Sequence, residues 1–195
     1  MKGDKGLFLT SDFSENTVKK CCFTGYRPSK LPIDVSVKNK QYNDFENSIT
    51  KAILELVEQN CSVFYTGMAM GFDMLCAECV LLLRKIYKSP LKLICAIPFK
   101  EQSDYFTTEW KERYNYILNE CDEVVILSDK YFKGCYQKRN KFMVDNSDYV
   151  MTWFDGKPGG TKNTVDYAIK QNRYILNLYD GANNDYYPQI MVDII

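Results

Sequence analysis

Apolar residues follow two rhythms along this chain. Six short runs are nearly continuous in apolar and β-branched residues: KKCCFTG (19–25), CSVFYTG (61–67), LKLICAIPF (91–99), DEVVILS (122–128), DYVMTWF (148–154) and RYILNLY (173–179). Between them, the stretches 42–59, 73–87, 107–121, 138–146 and 164–172 space their apolar residues three and four apart. The first rhythm predicts strands covered on both faces, and the second predicts amphipathic helices. Their alternation predicts βαβ units, and so an α/β fold: one Rossmann-like, doubly wound domain with a mostly parallel sheet. Residues 1–18 are polar and patternless and read as a flexible N-terminal arm, which leaves 19–195 for the domain. The chain shows no internal repeat and no low-complexity tract.

That architecture says where to look for chemistry. In a parallel sheet all strand C-termini lie on one edge, and ligands bind there at the point where strand order reverses. The loops leaving the predicted strands are 24–32, 66–73, 98–106, 128–140 and 154–164, and they hold most of the chain's glycines and prolines.

Composition removes more than it adds. With 195 residues, 46% apolar and 14% aromatic, the chain suits one globular domain. Twenty-five basic and twenty-five acidic residues cancel, which argues against nucleic acid as a partner. There is no histidine, so Ser-His-Asp and Cys-His catalysis, histidine metal ligation and a histidine base are all excluded. Of eight cysteines only Cys76 and Cys79 form a CxxC, and no second pair completes a zinc site. No metal and no cofactor are expected. The remaining cysteines sit mostly in or beside apolar runs, as reduced, buried thiols do. The first residues carry no secretory signal, and no run approaches the roughly 18–20 apolar residues of a membrane helix. The expectation is a soluble, cytoplasmic protein with no membrane partner, and homo-oligomerisation is left open.

Four loops carry candidate chemistry. YTGMAMGFD places Thr66, Gly67, Gly71 and Asp73 between a strand and a helix, where glycine permits positive φ and the helix N-terminus favours an anion. Asp73 either caps that helix or accepts bonds from a ligand hydroxyl. DGKPGGTKNT offers Pro158, Gly159, Gly160, Thr161 and Thr164, either a phosphate or ribose cradle or a Pro-Gly turn with a threonine cap. In FTGYRP, Gly25 precedes Arg27, a guanidinium set directly after a strand, for phosphate or for a surface ion pair. Tyr136, Arg139 and Asn140 are spaced i, i+3, i+4 and share a face if helical, with Met143 continuing it into the core.

FTGYRP, YTGMAMGFD, QKRNKFMVD and PGGTKNT, taken together and in this order, resemble the YpsA-like branch of the SLOG superfamily over about residues 19–180. That superfamily also holds the DNA-processing protein A domain and the LOG-type proteins. The resemblance implies a Rossmann-like fold with a pocket for a nucleotide or nucleotide-derived, ADP-ribose-type small molecule. It carries the pocket over onto Gly25, Arg27, Gly67, Gly71, Asp73, Arg139, Asn140, Gly159, Gly160, Thr161 and Thr164. LOG-type phosphoribohydrolases have PGGxGTxxE, whereas Lys162 and Asn163 stand here at the second glycine and threonine, and Asp166 is the nearest carboxylate. Binding as a sensor or carrier is therefore the leading expectation. A nucleotide N-glycosidase using Asp73, Asp166 or Glu78 is the alternative, with single-stranded DNA binding third.

Overall fold

The structure, a computed structural model, describes residues 17–179. The expected arm therefore lies outside the described residues except for its last two, as do residues 180–195. The elements alternate strictly: β1 (Lys19–Gly25), α1 (Lys40–Glu58), β2 (Cys61–Thr66), α2 (Phe72–Tyr87), β3 (Lys92–Ile97), α3 (Thr108–Glu120), β4 (Glu123–Ile126), α4 (Cys135–Asp145), β5 (Tyr149–Trp153), α5 (Gly160–Lys170) and β6 (Tyr174–Asn177). A single 3-10 turn, Pro28–Lys30, follows β1. The six strands form one sheet in the order β4-β3-β2-β1-β5-β6. Every pairing is parallel. The fold is thus a Rossmann-like, doubly wound α/β domain.

From β1 the chain steps outward through β2 and β3 to β4, then returns to the far side of β1 for β5 and β6. Since parallel crossovers are right-handed, the reversal sends α1–α3 to one face and α4–α5 to the other. Strand residues accordingly alternate between two cores. Cys21, Phe23, Phe64, Leu93, Cys95 and Met151 pack toward α1–α3. Cys22, Tyr65, Ile94, Ala96, Val150 and Ile175 pack toward α4–α5, against Met143, Val144 and Ala168. Phe23 and Phe64 stack at 5.8 Å between ring centroids, across β1 and β2. All eight cysteines are free thiols, and seven are buried. Among the described residues no helix is long and apolar enough to cross a membrane.

Four local readings change. The helix expected from 138 begins at Cys135, and the one expected from 164 begins at Gly160. Apolar spacing does not mark those first turns, because what they bury is a lone thiol, Cys135, in one and a threonine, Thr161, in the other, with no apolar residue repeating at helical spacing. The strands expected to be covered on both faces at 122–128 and 173–179 are instead edge strands of four residues each, with Val124 43%, Ile126 48% and Tyr174 55% exposed. With a neighbour on one side only, β4 keeps one flank of its apolar row in solvent.

These positions make opposite demands on side-chain volume. Phe64→Ala, which opens a cavity in a central strand, should lower unfolding free energy by about 3–5 kcal/mol in urea titration. Val124→Ala, at the exposed edge, should stay within about 0.5 kcal/mol of the parent.

Candidate functional site

β1 and β5 are neighbours on the sheet, yet their chains leave in opposite directions. Their C-terminal loops therefore splay apart and open a cleft of about 320 Å³. The β1 loop supplies Gly25, Tyr26, Arg27 and Lys30, and the β5 loop supplies Gly159, Gly160 and Thr161. From the side come Ala69, Asp73, Tyr136, Arg139 and Asn140. The i, i+3, i+4 set on α4 is thus brought to one wall, and Met143 lies fully buried in the core beneath it.

Asp73 and Arg139 form the floor. Both are 4% exposed. The Asp73 carboxylate accepts the backbone N–H groups of Gly25 and Ala69, tying together the loops after β1 and β2. Burial pushes its carboxyl up to about 6, opposed by the charges of Arg139 and Arg27 and by those two N–H groups. Burial likewise pushes the Arg139 guanidinium down, opposed chiefly by Asp73. Arg139 Nη1 donates to the Gly67 carbonyl, and its Nε donates to Asn140 Oδ1 at 2.6 Å. Asn140 Nδ2 in turn donates to Thr164 Oγ1 at 2.7 Å, which links α4 to α5. Gln102, itself buried, adds Nε2 bonds of 3.2 and 2.8 Å to the carbonyls of Gly67 and Met68.

The glycine-rich loop after β2 plays a different part from the one its sequence suggests. Gly67 and Gly71 do not line the cleft; they pack under it. A side chain at Gly67 would run into the Arg139 guanidinium and the Asp73 carboxylate. At Gly71, with φ of 98°, a Cβ would sit 2.5 Å from the Tyr26 carbonyl oxygen. Gly71 is also the N-cap of α2, which places Asp73 in the first turn and not at the cap. Thr66 is enclosed as well: its hydroxyl donates to the Asp73 carbonyl and accepts the Met68 N–H.

The PGG loop is open. Gly159 and Gly160 have nothing within 4 Å of an added Cβ, and no side chain caps the α5 N-terminus. The partial positive charge of the helix dipole therefore meets solvent at that end with no side chain over it. Thr161 donates to the Gly25 carbonyl at 3.2 Å, and Thr164 donates to Gly160 O at 3.0 Å, so both hydroxyls hold loop to helix. Pro158 is exposed in the approach and does not line the cleft. Arg27 is exposed at the mouth with no carboxylate partner among the described residues.

The remaining carboxylates divide. Asp166 lines a second cavity, between α4 and α5, and forms an ion pair with Lys162 at 2.7 Å. Glu78 lies away from both cavities, where α2 meets α3, in a two-pronged bond with Arg113. Sequence reasoning missed Tyr26 and Asp155. The Tyr26 hydroxyl donates to the Asp155 carboxylate, latching the β1 loop to the β5 loop over 129 residues of chain. Burial alone would raise the Asp155 carboxyl, but bonds from Lys157 and Tyr26 hold it down at about 2. FTGYRP does display Tyr26 beside Arg27, but nothing local pairs it with a residue so distant.

An open parallel sheet with a cleft at its switch point defines a Rossmann-like α/β protein. Residues 21–181 match the model of YpsA, the YspA SLOG family, and the chain belongs to that family. It is 34% identical over 154 residues to the uncharacterised SPbeta prophage-derived protein YoqJ of Bacillus subtilis strain 168, covering 72% of this chain and 85% of that one. It is 26% identical over 159 residues to a UPF0398 protein of Bacillus cereus strain B4264, covering 79% and 84%. Among solved structures the fold resembles DNA processing protein A from Streptococcus pneumoniae, with TM-score 0.56 and 18% identity, over 87% of this chain and 54% of that one. It also resembles DNA processing protein A from Helicobacter pylori, with TM-score 0.56 and 20% identity, over 83% and 66%.

The floor carboxylate titrates with a definite sign. Because the Asp73 pKa in the fold lies above its ordinary 3.8, its contribution to stability is full below about 3.8 and is lost as pH rises through about 6. The unfolding free energy of the parent, measured relative to Asp73→Asn, should therefore increase as pH falls from 7 to 4 and be flat above 7. A pH-independent difference would show that the carboxyl is not perturbed.

Proposed function

We propose that the switch-point cleft binds the phosphate end of a nucleotide or nucleotide-derived small molecule, and that the protein acts as a binder of that ligand and not as a hydrolase. One observation carries this reading: an unpartnered arginine, Arg27, and the uncapped N-terminus of α5 face the same small cleft from opposite loops. A guanidinium opposite a helix N-terminus suits a phosphate, since one supplies a full charge and the other a dipole end with backbone donors. Arg139 contributes less net charge, because Asp73 beside it offsets it. Its bonds to Gly67 and Asn140 suit it to shaping the floor.

The carboxylates support binding over cleavage. Asp73 already accepts two backbone N–H groups, and Asp166 is paired with Lys162. Asp73 is the one carboxylate lining the cleft among the described residues, and Asp166 lies in the neighbouring cavity, so no second carboxylate stands opposite Asp73 to share acid and base roles across a glycosidic bond, which favours binding over cleavage.

A second reading, single-stranded nucleic acid, draws on a separate observation. The segment leading into α4 exposes Tyr131 (63%), Phe132 (40%) and Tyr136 (37%) among Lys130, Lys133 and Lys138. Exposed rings among lysines form the stacking and charge surface that single strands use. The Helicobacter pylori relative is described as having a single-stranded DNA binding mode.

Calorimetric titration separates these readings. Nucleoside mono- and diphosphates and ADP-ribose should bind and be recovered intact, while an oligothymidylate should not compete. Arg27→Ala should cost about 1.5–3 kcal/mol for a phosphorylated ligand and far less for the matching nucleoside, as expected for one charged hydrogen bond. Equal losses for both would remove phosphate reading from Arg27. Free base released over many turnovers would overturn the binder assignment, and tight oligonucleotide binding abolished by Tyr131→Ala would favour the second reading.

A further inference from the structure

The cleft is not alone on this edge. A second cavity of about 400 Å³ lies between α4 and α5, and the two share Tyr136, Asn140 and Gly160 as a common wall. Each is near the lower bound of about 300–1,000 Å³ for small-molecule sites, so the pair suits one ligand with two chemically distinct ends. From the α5 N-terminus, the second cavity runs along the helix past Asn163 to Tyr167 and Lys170. Seven residues of helix from Gly160 to Tyr167 span about 10 Å.

Its lining differs in kind from that of the cleft. It has no arginine, and beyond Gly160 it has no helix N-terminus. It has two tyrosines, Tyr136 and Tyr167, and the carboxamides of Gln137 and Asn163, which are exposed and make no side-chain bond to the protein among the described residues. Both rings are held in place before any ligand arrives. Tyr136 packs edge-on to Phe99 at 5.8 Å and lies 6.4 Å from Tyr131. The Tyr167 hydroxyl donates to Asp145 at 2.8 Å, and Lys141 Nζ sits 5.2 Å from its ring centroid. Pre-set rings lose little freedom on binding, and free carboxamides each offer donors and an acceptor. Rings flanked by paired donors and acceptors match a nucleobase, and Lys141 and Lys170 on the same lining add ammonium donors for its carbonyl and ring-nitrogen acceptors.

We propose that the α4–α5 groove is the base subsite of the ligand whose phosphate lies in the cleft. The ligand then runs along α5, phosphate at Gly160 and base between the α4 and α5 side chains. This rests on the phosphate reading of the cleft and adds a requirement: phosphate alone is an incomplete ligand. Tyr167 and Gln137 become specificity residues, and Asn140, bonded to both Arg139 and Thr164, becomes the fixed post at the bend between the two cavities.

The test compares AMP, GMP, CMP and UMP with ribose 5-phosphate by calorimetry, on the parent, Tyr167→Leu, Gln137→Ala and Arg27→Ala. At least one mononucleotide should bind tenfold or more tightly than ribose 5-phosphate. Tyr167→Leu and Gln137→Ala should each weaken that nucleotide about five- to tenfold and leave ribose 5-phosphate within twofold. Arg27→Ala should weaken both ligands. Because Gln137 is exposed, its variant keeps the test valid even if loss of the Tyr167–Asp145 bond loosens α5. If the nucleotides and ribose 5-phosphate bind alike and the groove variants change nothing, the base subsite is overturned and the phosphate cleft stands. If no phosphate compound binds the parent, the phosphate reading fails and the base subsite fails with it.

Discussion

The architecture of this edge depends on one buried carboxylate. Asp73 sits in the first turn of α2, and its oxygens collect the N–H groups of Gly25 from the β1 loop and Ala69 from the β2 loop. Arg139 approaches from α4, on the opposite face of the sheet, and its guanidinium passes over Gly67 to reach the same place. Two charges of opposite sign are thereby withdrawn from water together, which is costly unless their remaining hydrogen-bonding capacity is met. Here backbone groups and Asn140 meet part of it. The neighbouring glycines follow from this arrangement: Gly67 leaves room for the guanidinium, and Gly71 turns the chain beneath the β1 loop.

Around that floor the walls are assembled in a consistent order. Phe72 N–H bonds to the Tyr26 carbonyl at 3.1 Å, pinning the β1 loop to the start of α2. Tyr26 then latches to Asp155, and Thr161 bonds back to Gly25, so the β1 and β5 loops are joined at two points across the switch point. These bonds hold the two loops in one arrangement. What stays open is the part no side chain fills: the α5 N-terminus, the mouth at Arg27, and the groove beside Tyr167.

The fold was legible because its signals are local. Unbroken apolar runs such as LKLICAIPF can persist only as strands covered on both faces, and the amphipathic stretches between them can return only as covering helices. The shared edge and the loops that matter follow from this alternation, since a parallel sheet has one C-terminal side. The same reasoning failed where an element's environment is not written in its own pattern. β4 and β6 carry interior-like runs but lie at the edges, and the first turns of α4 and α5 bury a thiol and a threonine in place of a periodic apolar row.

By itself, then, the sequence determined the α/β class, the strand and helix order, the loops that meet at the strand ends, and the grouping of Tyr136, Arg139 and Asn140 on one face. Tertiary structure alone decided which of those loop residues face the cleft. Gly67, Gly71 and Thr66 look like ligand residues in one dimension and are packing residues in three. Asp73 lines the cleft but spends its oxygens on Gly25 and Ala69, and Glu78 is turned away to Arg113. Tyr26 and Asp155 became partners only when β1 and β5 paired. The reason is physical: a residue's type and neighbours set what it can bind, but long-range pairing consumes that capacity, and sequence spacing does not record which bonds have already been made.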